Sequence, residues 1–274
     1  MPERDGIVKL GYTYTSDADV RSEPGSFAIH MLRFDGRVPI PIGDDIVFAP
    51  GVVFDLHHFR LHNTINYLDQ NSLNAYDVGP TLGAVIKFDR NWMLALNFTP
   101  LISSDMKGLT GNDFQFKGYG MAGWAFSDSA SFIFGVAVNK DFWRYLPIPI
   151  IGFVVRPEGS FFAFETVLPK YLRVDFRVAS FCKLFVQGEY EGDVWYIRGD
   201  GTVPNHFGKL MEVHTGAGAR FTIIEGLEIE AWGGIDPYRR VSFKDRAGLT
   251  IERRIDHAFF GEANIIITPK IFRR

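Results

Sequence analysis

The residues best suited to chemistry in this chain of 274 amino acids are acidic side chains spaced two apart. Glu189 and Glu191 form one such pair, and Glu228 and Glu230 form another. Two carboxylates in different environments could act as a general acid and a general base. No neighbouring residue is placed to act as a nucleophile, so we interpret the four as charges paired with cations and predict no catalytic residues.

Three histidines close together, His57, His58 and His62, are candidate metal ligands. They lie in or beside the longest predicted connection, 57–74, and His58 and His62 would share a face if a strand continued through them. A metal site needs further ligands, and no cysteine or carboxylate is evidently placed to join this pair. We therefore predict solvent-exposed loop histidines, with no metal and no cofactor.

Motifs of known enzyme classes are missing from the sequence. It has no Gly-x-Ser-x-Gly elbow, no Gly-x-Gly-x-x-Gly following a strand, no phosphate-binding loop and no zinc-finger spacing. No stretch resembles the rim motifs of barrel hydrolases or acyltransferases. Cys182 is the only cysteine in the sequence, so no intrachain disulfide can form.

The acidic pairs belong to segments with two unlike faces. In 184–196 the apolar face comprises Leu184, Val186, Gly188, Tyr190, Val194 and Tyr196. The other face carries Gln187, Glu189, Glu191 and Asp193. A period of two predicts a β-strand, and its acidic face cannot meet a dry core because an unpaired buried carboxylate is too costly. The apolar face must be covered by a second sheet, as in a soluble sandwich, or by lipid, as in a membrane barrel.

Composition favours the barrel and restricts the partners. The net charge of −3 argues against nucleic-acid binding, and 26 Phe, 10 Tyr, 5 Trp and 28 Gly suit an all-β protein. No apolar run reaches the ~20 residues of a membrane helix. Small residues recur on the polar faces, as at Gly79, Thr81 and Gly83, which suits a crowded barrel interior. The start Met1–Asp5 has no signal-peptide core, so an outer-membrane location requires that a signal peptide has been removed.

Fourteen candidate strands divide the chain, which we expect to be a single domain over 1–274. They span 7–14, 26–38, 46–56, 75–88, 92–102, 116–126, 131–139, 149–157, 161–168, 171–180, 184–197, 210–223, 227–240 and 252–268. Short turns alternate with longer links at 15–25, 57–74, 103–115, 140–148, 198–209 and 241–251, and the short link 169–170 is an exception.

This alternation is typical of an up-and-down outer-membrane barrel, with short periplasmic turns and longer outer loops. We predict an all-β, antiparallel transmembrane barrel of fourteen strands with both chain ends on the short-turn side. Twelve strands are the second choice, because Pro147, Pro149, Pro157 and Pro169 interrupt pairing.

The charged faces of these strands predict the lining of the barrel lumen. The set comprises Arg173, Arg177, Glu189, Glu191, Asp193, Arg220, Glu228, Glu230 and Glu262. A three-residue turn over 224–226 would set Arg220 opposite Glu230, and opposite charges facing across a strand pair contribute ~0.2–1 kcal/mol. We also expect Arg177 to reach Gln187 or Glu189.

Aromatic side chains on the other faces are expected to meet lipid. This set comprises Phe98, Phe132, Phe134, Phe176, Tyr190 and Phe221, with Trp92, Trp124 and Tyr196 near the two membrane interfaces.

The chain resembles bacterial outer-membrane β-barrel proteins along nearly its whole length. The alternating strands, the short turns and the segment Phe259 to Phe272 carry this resemblance. The stretch Leu146 to Pro157, followed by Val167, Leu168 and Pro169, is similar to a family of outer-membrane barrels of unknown function. The resemblance implies a barrel in the bacterial outer membrane and supplies no catalytic residues.

Three functions are compatible with these observations. The first is a narrow passive pore or solute-uptake channel with a charged lumen, and the second is a closed structural or surface-binding barrel without transport. The third, a membrane-rim lipid-modifying enzyme, lacks a motif. The expected partners are outer-membrane lipids and small cationic or polar solutes, and no nucleic acid. The sequence does not indicate an oligomeric state.

Overall fold

The computed structural model describes residues 7–21, 24–62, 72–199, 205–245 and 247–268. Sixteen strands are found there: β1 Val8–Asp19, β2 Ser26–Arg37, β3 Ile40–Ile42, β4 Ile46–His62, β5 Ser72–Lys87, β6 Trp92–Ser104, β7 Phe114–Ser127, β8 Ala130–Asp141, β9 Arg144–Val155, β10 Phe162–Leu168, β11 Tyr171–Ala179, β12 Cys182–Ile197, β13 His206–Ile224, β14 Leu227–Asp245, β15 Thr250–Ile255 and β16 Ala258–Ile267. Over the described residues, no helix has the length and apolar character needed to cross a membrane.

Fourteen of these strands form one closed antiparallel barrel. Each pairs with its neighbour in the chain, apart from the short strands β3 and β15, which add to β4 and β14. The barrel closes where β1 pairs with β16, so that Val8 lies opposite Ile267. The prediction of fourteen strands is confirmed, and twelve is not needed.

The prolines are tolerated because of where they lie. Strand β10 pairs with β9 only over Ile151–Val155, so the preceding part of β9 has no partner on that side. Pro147 and Pro149 fall in that part and pair with β8 alone. Proline lacks a backbone donor and is therefore accommodated on a free edge.

The two ends of the barrel differ as predicted. We call the end where β1 begins and β16 ends the turn end, and the opposite one the loop end. Turn-end connections include 128–129, 180–181 and 225–226, whereas the loop end carries the links 105–113 and 198–205.

Two predicted loop-end links are shorter than expected. The link predicted over 140–148 is wrong, because β8 continues to Asp141 and β9 begins at Arg144. The link predicted over 57–74 is also shortened, because β4 continues to His62 and β5 begins at Ser72. Long strands at this end carry the sheet beyond the band that a bilayer core would cover.

The outer surface of the barrel is apolar. Phe98, Phe134, Phe176 and Phe221 are 37–47% exposed and point outward as predicted. Phe132 and Tyr190 are only half-buried rather than fully exposed. Trp92 and Trp124 stack with ring centroids 6.0 Å apart near the turn end.

The prediction for Tyr196 is wrong. Its side chain is 2% exposed and packs on Phe207, with ring centroids 5.1 Å apart. It lies in the part of β12 that leaves the wall, as described below, and does not meet a membrane interface.

Candidate functional site

The lumen is narrowed by the part of β12 nearest the loop end, which we call its upper part. Strand β11 begins at Tyr171, which pairs with Glu189, so the β12 residues beyond that level have no partner from β11. The cause is the short connection 169–170 between β10 and β11, which ends the wall early at this point. A strand edge left unpaired needs other partners for its backbone groups.

Those partners lie across the lumen. Tyr196 forms a parallel bridge with Ser104 of β6, although five strands separate β6 from β12 by the shorter way round the barrel. The backbone N–H of Asp105 donates to the Tyr196 carbonyl at 3.3 Å, and the side-chain amide of Gln115 donates to the Val194 carbonyl at 3.1 Å. The hairpin β12–β13 therefore leans across the loop end.

An apolar cluster, formed by this hairpin and the facing wall, fills the loop end of the barrel. We call it the apolar plug: Ala18, Val20, Phe27, Ile29, Phe59, Leu61, Leu73, Ala75, Trp195, Ile197, Leu210, Val241, Phe243, Ile255 and Ala258. Phe59 of β4 and Trp195 of β12 come from nearly opposite sides of the barrel, yet their ring centroids are 5.4 Å apart. Every plug residue is at most 7% exposed. The loop end of the lumen is thus closed by side chains packed like a protein core.

Beneath the plug, ion pairs cross the lumen. The Arg33 guanidinium donates to both carboxylate oxygens of Glu191, at 2.9 and 3.2 Å, and joins β2 to β12. Lys117 of β7 donates to Asp193 of β12 and to Asp77 of β5, the latter at 3.4 Å. Charge-assisted bonds of this kind are the stronger class of hydrogen bond, so they fix β12 in the lumen.

A second group of charges lies along β13 and β14. His214 Nδ1 lies 2.5 Å from Asp236, and its Nε2 lies 3.8 Å from Glu191. Arg239 donates to Glu212 at 2.7 Å. All five side chains are buried or nearly so.

Nearer the turn end, two arginines share one carboxylate. Arg173 and Arg220 approach the same oxygen of Glu230 at 2.8 and 2.7 Å. Arg173 also donates to Gln187 at 3.1 Å, and Gln187 donates to Glu189 at 2.7 Å. The chain of contacts spans β11 to β14, and all five residues are at most 7% exposed.

The predicted pairing of Arg220 with Glu230 is confirmed by the register. The turn itself is tighter than predicted: Ile224, not Ile223, pairs with Leu227, and an irregularity before Ile224 restores the register. Gly226 adopts a φ of 88°, which favours glycine.

The predicted contact of Arg177 is wrong. The register sets Arg173 opposite Gln187 and Arg177 opposite Lys183, close to the turn end. The remaining predicted lining residues lie on the inner faces: Glu228 is 3.6 Å from Arg220, and Glu262 is 3.8 Å from Lys9. That the set borders a conducting path stays a prediction.

Several central residues were not predicted from the sequence. Lys117 has only Gln115 as a polar neighbour on its face, and Arg33 and His214 lie at a period of two from Asp35 and Glu212, but none of these patterns indicates a partner across the barrel. Arg239 is harder to find from the sequence. The pairing of β13 with β14 shifts by one residue between Val213 and Thr215, so the inner and outer faces of the later part of β14 are exchanged. The signal available for Arg33 was its period-two spacing with Asp35.

The histidines are placed differently from the prediction. His57, His58 and His62 all belong to β4, not to a loop. His57 is fully buried on the inner face, whereas His62 is exposed, and His58 lies 2.6 Å from Asn74 on the outer face. The expected solvent exposure is therefore wrong for His57.

The turn end of the lumen is more open. A cavity of about 470 Å³ lies there, inside β6 to β9. Met93, Met121, Ile133 and Val154 line its inner part. Charged side chains, including Arg90, surround it near the turns. The lumen is therefore accessible from the turn end and closed at the loop end.

One ion pair ties the β12–β13 connection to the link 105–113. Arg198 donates to both carboxylate oxygens of Asp113, at 2.7 and 3.2 Å, and lies 3.5 Å from Asp105. Burial would raise the pKa of Asp113, but bonds from Arg198 and Thr110 outweigh it and lower that pKa below its ordinary value.

This lowered pKa gives the stabilisation by the Arg198–Asp113 ion pair a defined pH dependence. The stabilisation is fully present above the ordinary Asp pKa of about 4 and is lost as the pH falls through the lowered value. We expect the difference in unfolding free energy between wild type and Asp113→Asn to stay constant from pH 7 to about 5. It should shrink below about pH 4, measured by urea unfolding. A difference that grows on acidification would contradict this contact.

Comparisons with known proteins give likenesses in overall form. The NanC porin is 8% identical over 96% of this chain and 100% of that chain, with a TM-score of 0.37. The TodX monoaromatic hydrocarbon channel is 8% identical over 96% of this chain and 89% of that one, with a TM-score of 0.44. A mutant Rh. blastica porin is 9% identical over 94% and 98%, with a TM-score of 0.33.

Curated proteins give no match to this chain. A family match does exist and spans residues 54–264, which includes the stretch Leu146 to Pro157 used above. The chain belongs to the family described as Domain of unknown function (DUF6268).

Proposed function

We propose that this protein is an outer-membrane β-barrel of the channel type, with a charged lumen and a resting state closed at the loop end. The observation that carries the proposal is the contact of Phe59 with Trp195 across the barrel. A fourteen-stranded wall is wide enough to leave a central space, since eight strands already enclose a side-chain-filled interior. Here that space is filled by β12, which leaves the wall.

The inverted arrangement of side chains supports a membrane location. Large apolar residues are exposed on the outer faces along the barrel, while carboxylates and arginines are buried inside. A water-soluble protein would not expose such a continuous apolar surface. In the outer membrane this surface contacts lipid, and the turn end faces the periplasm.

The charges of the lumen support a role in passage rather than in wall stability alone. Buried ion pairs are rarely more stabilising than apolar residues of similar size, so a merely structural barrel would not require so many. Carboxylates predominate around β12, where Glu189, Glu191 and Asp193 follow one another. An opened lumen should therefore favour small cationic or polar solutes.

Two other functions remain as alternatives. A permanently closed barrel with a structural or surface-binding role would have the same plug. A membrane-rim enzyme is less supported: His214 and Asp236 are hydrogen-bonded, but both are buried in the lumen, away from the rim.

Planar bilayers test the proposal. Wild-type protein with verified insertion should show little steady conductance, and a variant with a loosened plug should conduct. Silence of both would favour the permanently closed barrel. A large steady conductance of the wild type would show that the plug is not the resting state.

Arg220 provides a prediction about ion selectivity. It lies below the plug, so Arg220→Ala alone should leave the conductance at the wild-type level. In a background opened by Trp195→Ala, it should raise both the conductance and the cation preference, because removing Arg220 leaves Glu228 less neutralised. Arg220→Lys in the same background is the matched control and should keep the selectivity. Anion preference would show that these carboxylates do not face the path.

A further inference from the structure

We propose that Asp55, His57 and Asp77 form a binding site for one divalent transition-metal ion inside the barrel. The inference goes beyond the proposed function and does not depend on whether the barrel conducts. One potential ligand atom from each residue lies within 4.8 Å of the others. Imidazole nitrogen with carboxylate oxygen is a donor set that suits Zn²⁺ and its neighbours.

Strand register places the three residues together. Asp55 and His57 are two apart on the inner face of β4, and Asp77 of β5 lies directly opposite Asp55. Residues two apart on a strand share a face, and directly paired residues have Cβ atoms about 5 Å apart. The sheet itself therefore sets the spacing of the ligands. Around a tetrahedral ion with bonds of about 2.0–2.2 Å the donor atoms lie ~3.4 Å apart, so rotation of the three side chains must bring them about 1 Å closer together.

His57 gives an independent indication of a ligand. Its side chain is fully buried, and neither ring nitrogen has a hydrogen-bond partner among the described residues. One oxygen of Asp77 and one of Asp55 also lack a hydrogen bond there. Buried polar atoms without partners are costly, and one bound cation would satisfy one ring nitrogen of His57 and one oxygen of each carboxylate.

The local charge balance also favours a cation. Arg33 lies beside Asp55 and Glu191, and Lys117 lies beside Asp77 and Asp193. Four carboxylates thus share two cationic side chains and the imidazole of His214, which lies 3.8 Å from Glu191. One divalent ion would neutralise the remaining negative charge with neutral His57 as its ligand.

The aromatic neighbours would hold the imidazole in place. The His57 ring lies 4.6 Å from Trp195 and 6.1 Å from Phe59, measured between centroids. Both aromatic residues belong to the apolar plug, so the site lies at its lower boundary. Fixed ligand orientation of this kind strengthens metal binding.

The test uses full-length protein without a histidine tag, refolded into detergent in the presence of Zn²⁺ and then dialysed. The bound metal is counted by mass spectrometry, and the affinity is measured by calorimetry. Wild type should retain one ion per chain. His57→Gln and Asp77→Asn should each bind Zn²⁺ more weakly than wild type. The loss of affinity should exceed the roughly 10–100-fold expected when a residue that only hydrogen-bonds to a metal ligand is removed. His58→Gln, on the outer face of the same strand, is the matched control and should bind like wild type.

A second readout separates ligand loss from misfolding. Zn²⁺ should raise the thermal midpoint of wild type and of His58→Gln but not of His57→Gln, with folding verified by the heat-dependent shift in gel mobility. X-ray absorption should show one nitrogen and carboxylate oxygens around the metal. Equal retention by folded His57→Gln, or no retention by wild type refolded with Zn²⁺ and with Mn²⁺, would overturn the site.

Discussion

Replacing Trp195 with alanine is expected to convert a nearly silent barrel into a conducting one. Trp195 is 2% exposed and contacts Phe59 and His57 of the facing wall. Loss of a large aromatic side chain from a packed core costs roughly 3–5 kcal/mol. Because these contacts exist only when β12 lies in the lumen, the cost falls on the closed state. The ratio of open to closed barrels should rise about 10²–10⁴-fold.

Single-channel recording in planar bilayers measures this effect. Trp124→Ala is the matched control, since it removes the same side chain from a position that is 42% exposed on the outer face near the turn end and outside the plug. It should leave the wild-type conductance unchanged. Replacing 193–210 by a two-residue turn would remove the whole upper hairpin and should give a larger, permanently open conductance. If this deletion inserts and stays silent, another part of the barrel closes the lumen.

Much of the fold could be predicted because one rule acts along the whole chain. In each strand, lipid and lumen select opposite residue types, so a period of two marks both the strand and its faces. Strand ends were less predictable, as at Asp141 and Arg144, because polar residues continue a strand beyond the membrane when a neighbour offers hydrogen bonds. Tyr196 was misplaced for the same reason: beyond the membrane, an outward position can be covered by another part of the protein.

The site was less predictable than the fold because it depends on contacts between distant strands. The Arg220–Glu230 pair follows from a single turn and could be derived. The contacts of Arg33 with Glu191 and of Lys117 with Asp193 depend on β12 crossing the lumen. That crossing follows from the early end of the wall at 169–170, which the sequence showed only as an unusually short link. No local pattern reports which strand will face which across a barrel.

A charge placed on the outer face should prevent normal insertion. Val136 is 46% exposed on the outer face near the middle of β8. An arginine at the midplane of a bilayer costs roughly 2–4 kcal/mol, because its charge must leave water or draw water into the membrane. We expect Val136→Arg to reduce the free energy of unfolding in lipid vesicles by that amount, measured by urea titration of tryptophan fluorescence.

Two controls establish that depth in the membrane, and not the substitution alone, causes the loss. Val136→Leu stays apolar and should fold like wild type. Phe126→Arg places the same charge on the outer face but close to the turn end, where Phe126 is 47% exposed. Near an interface an arginine costs only about 0–1 kcal/mol, since its long side chain reaches the headgroups. Equal losses for Val136→Arg and Phe126→Arg would contradict the membrane position assigned to β8, and no loss for either would mean that this apolar surface does not contact lipid.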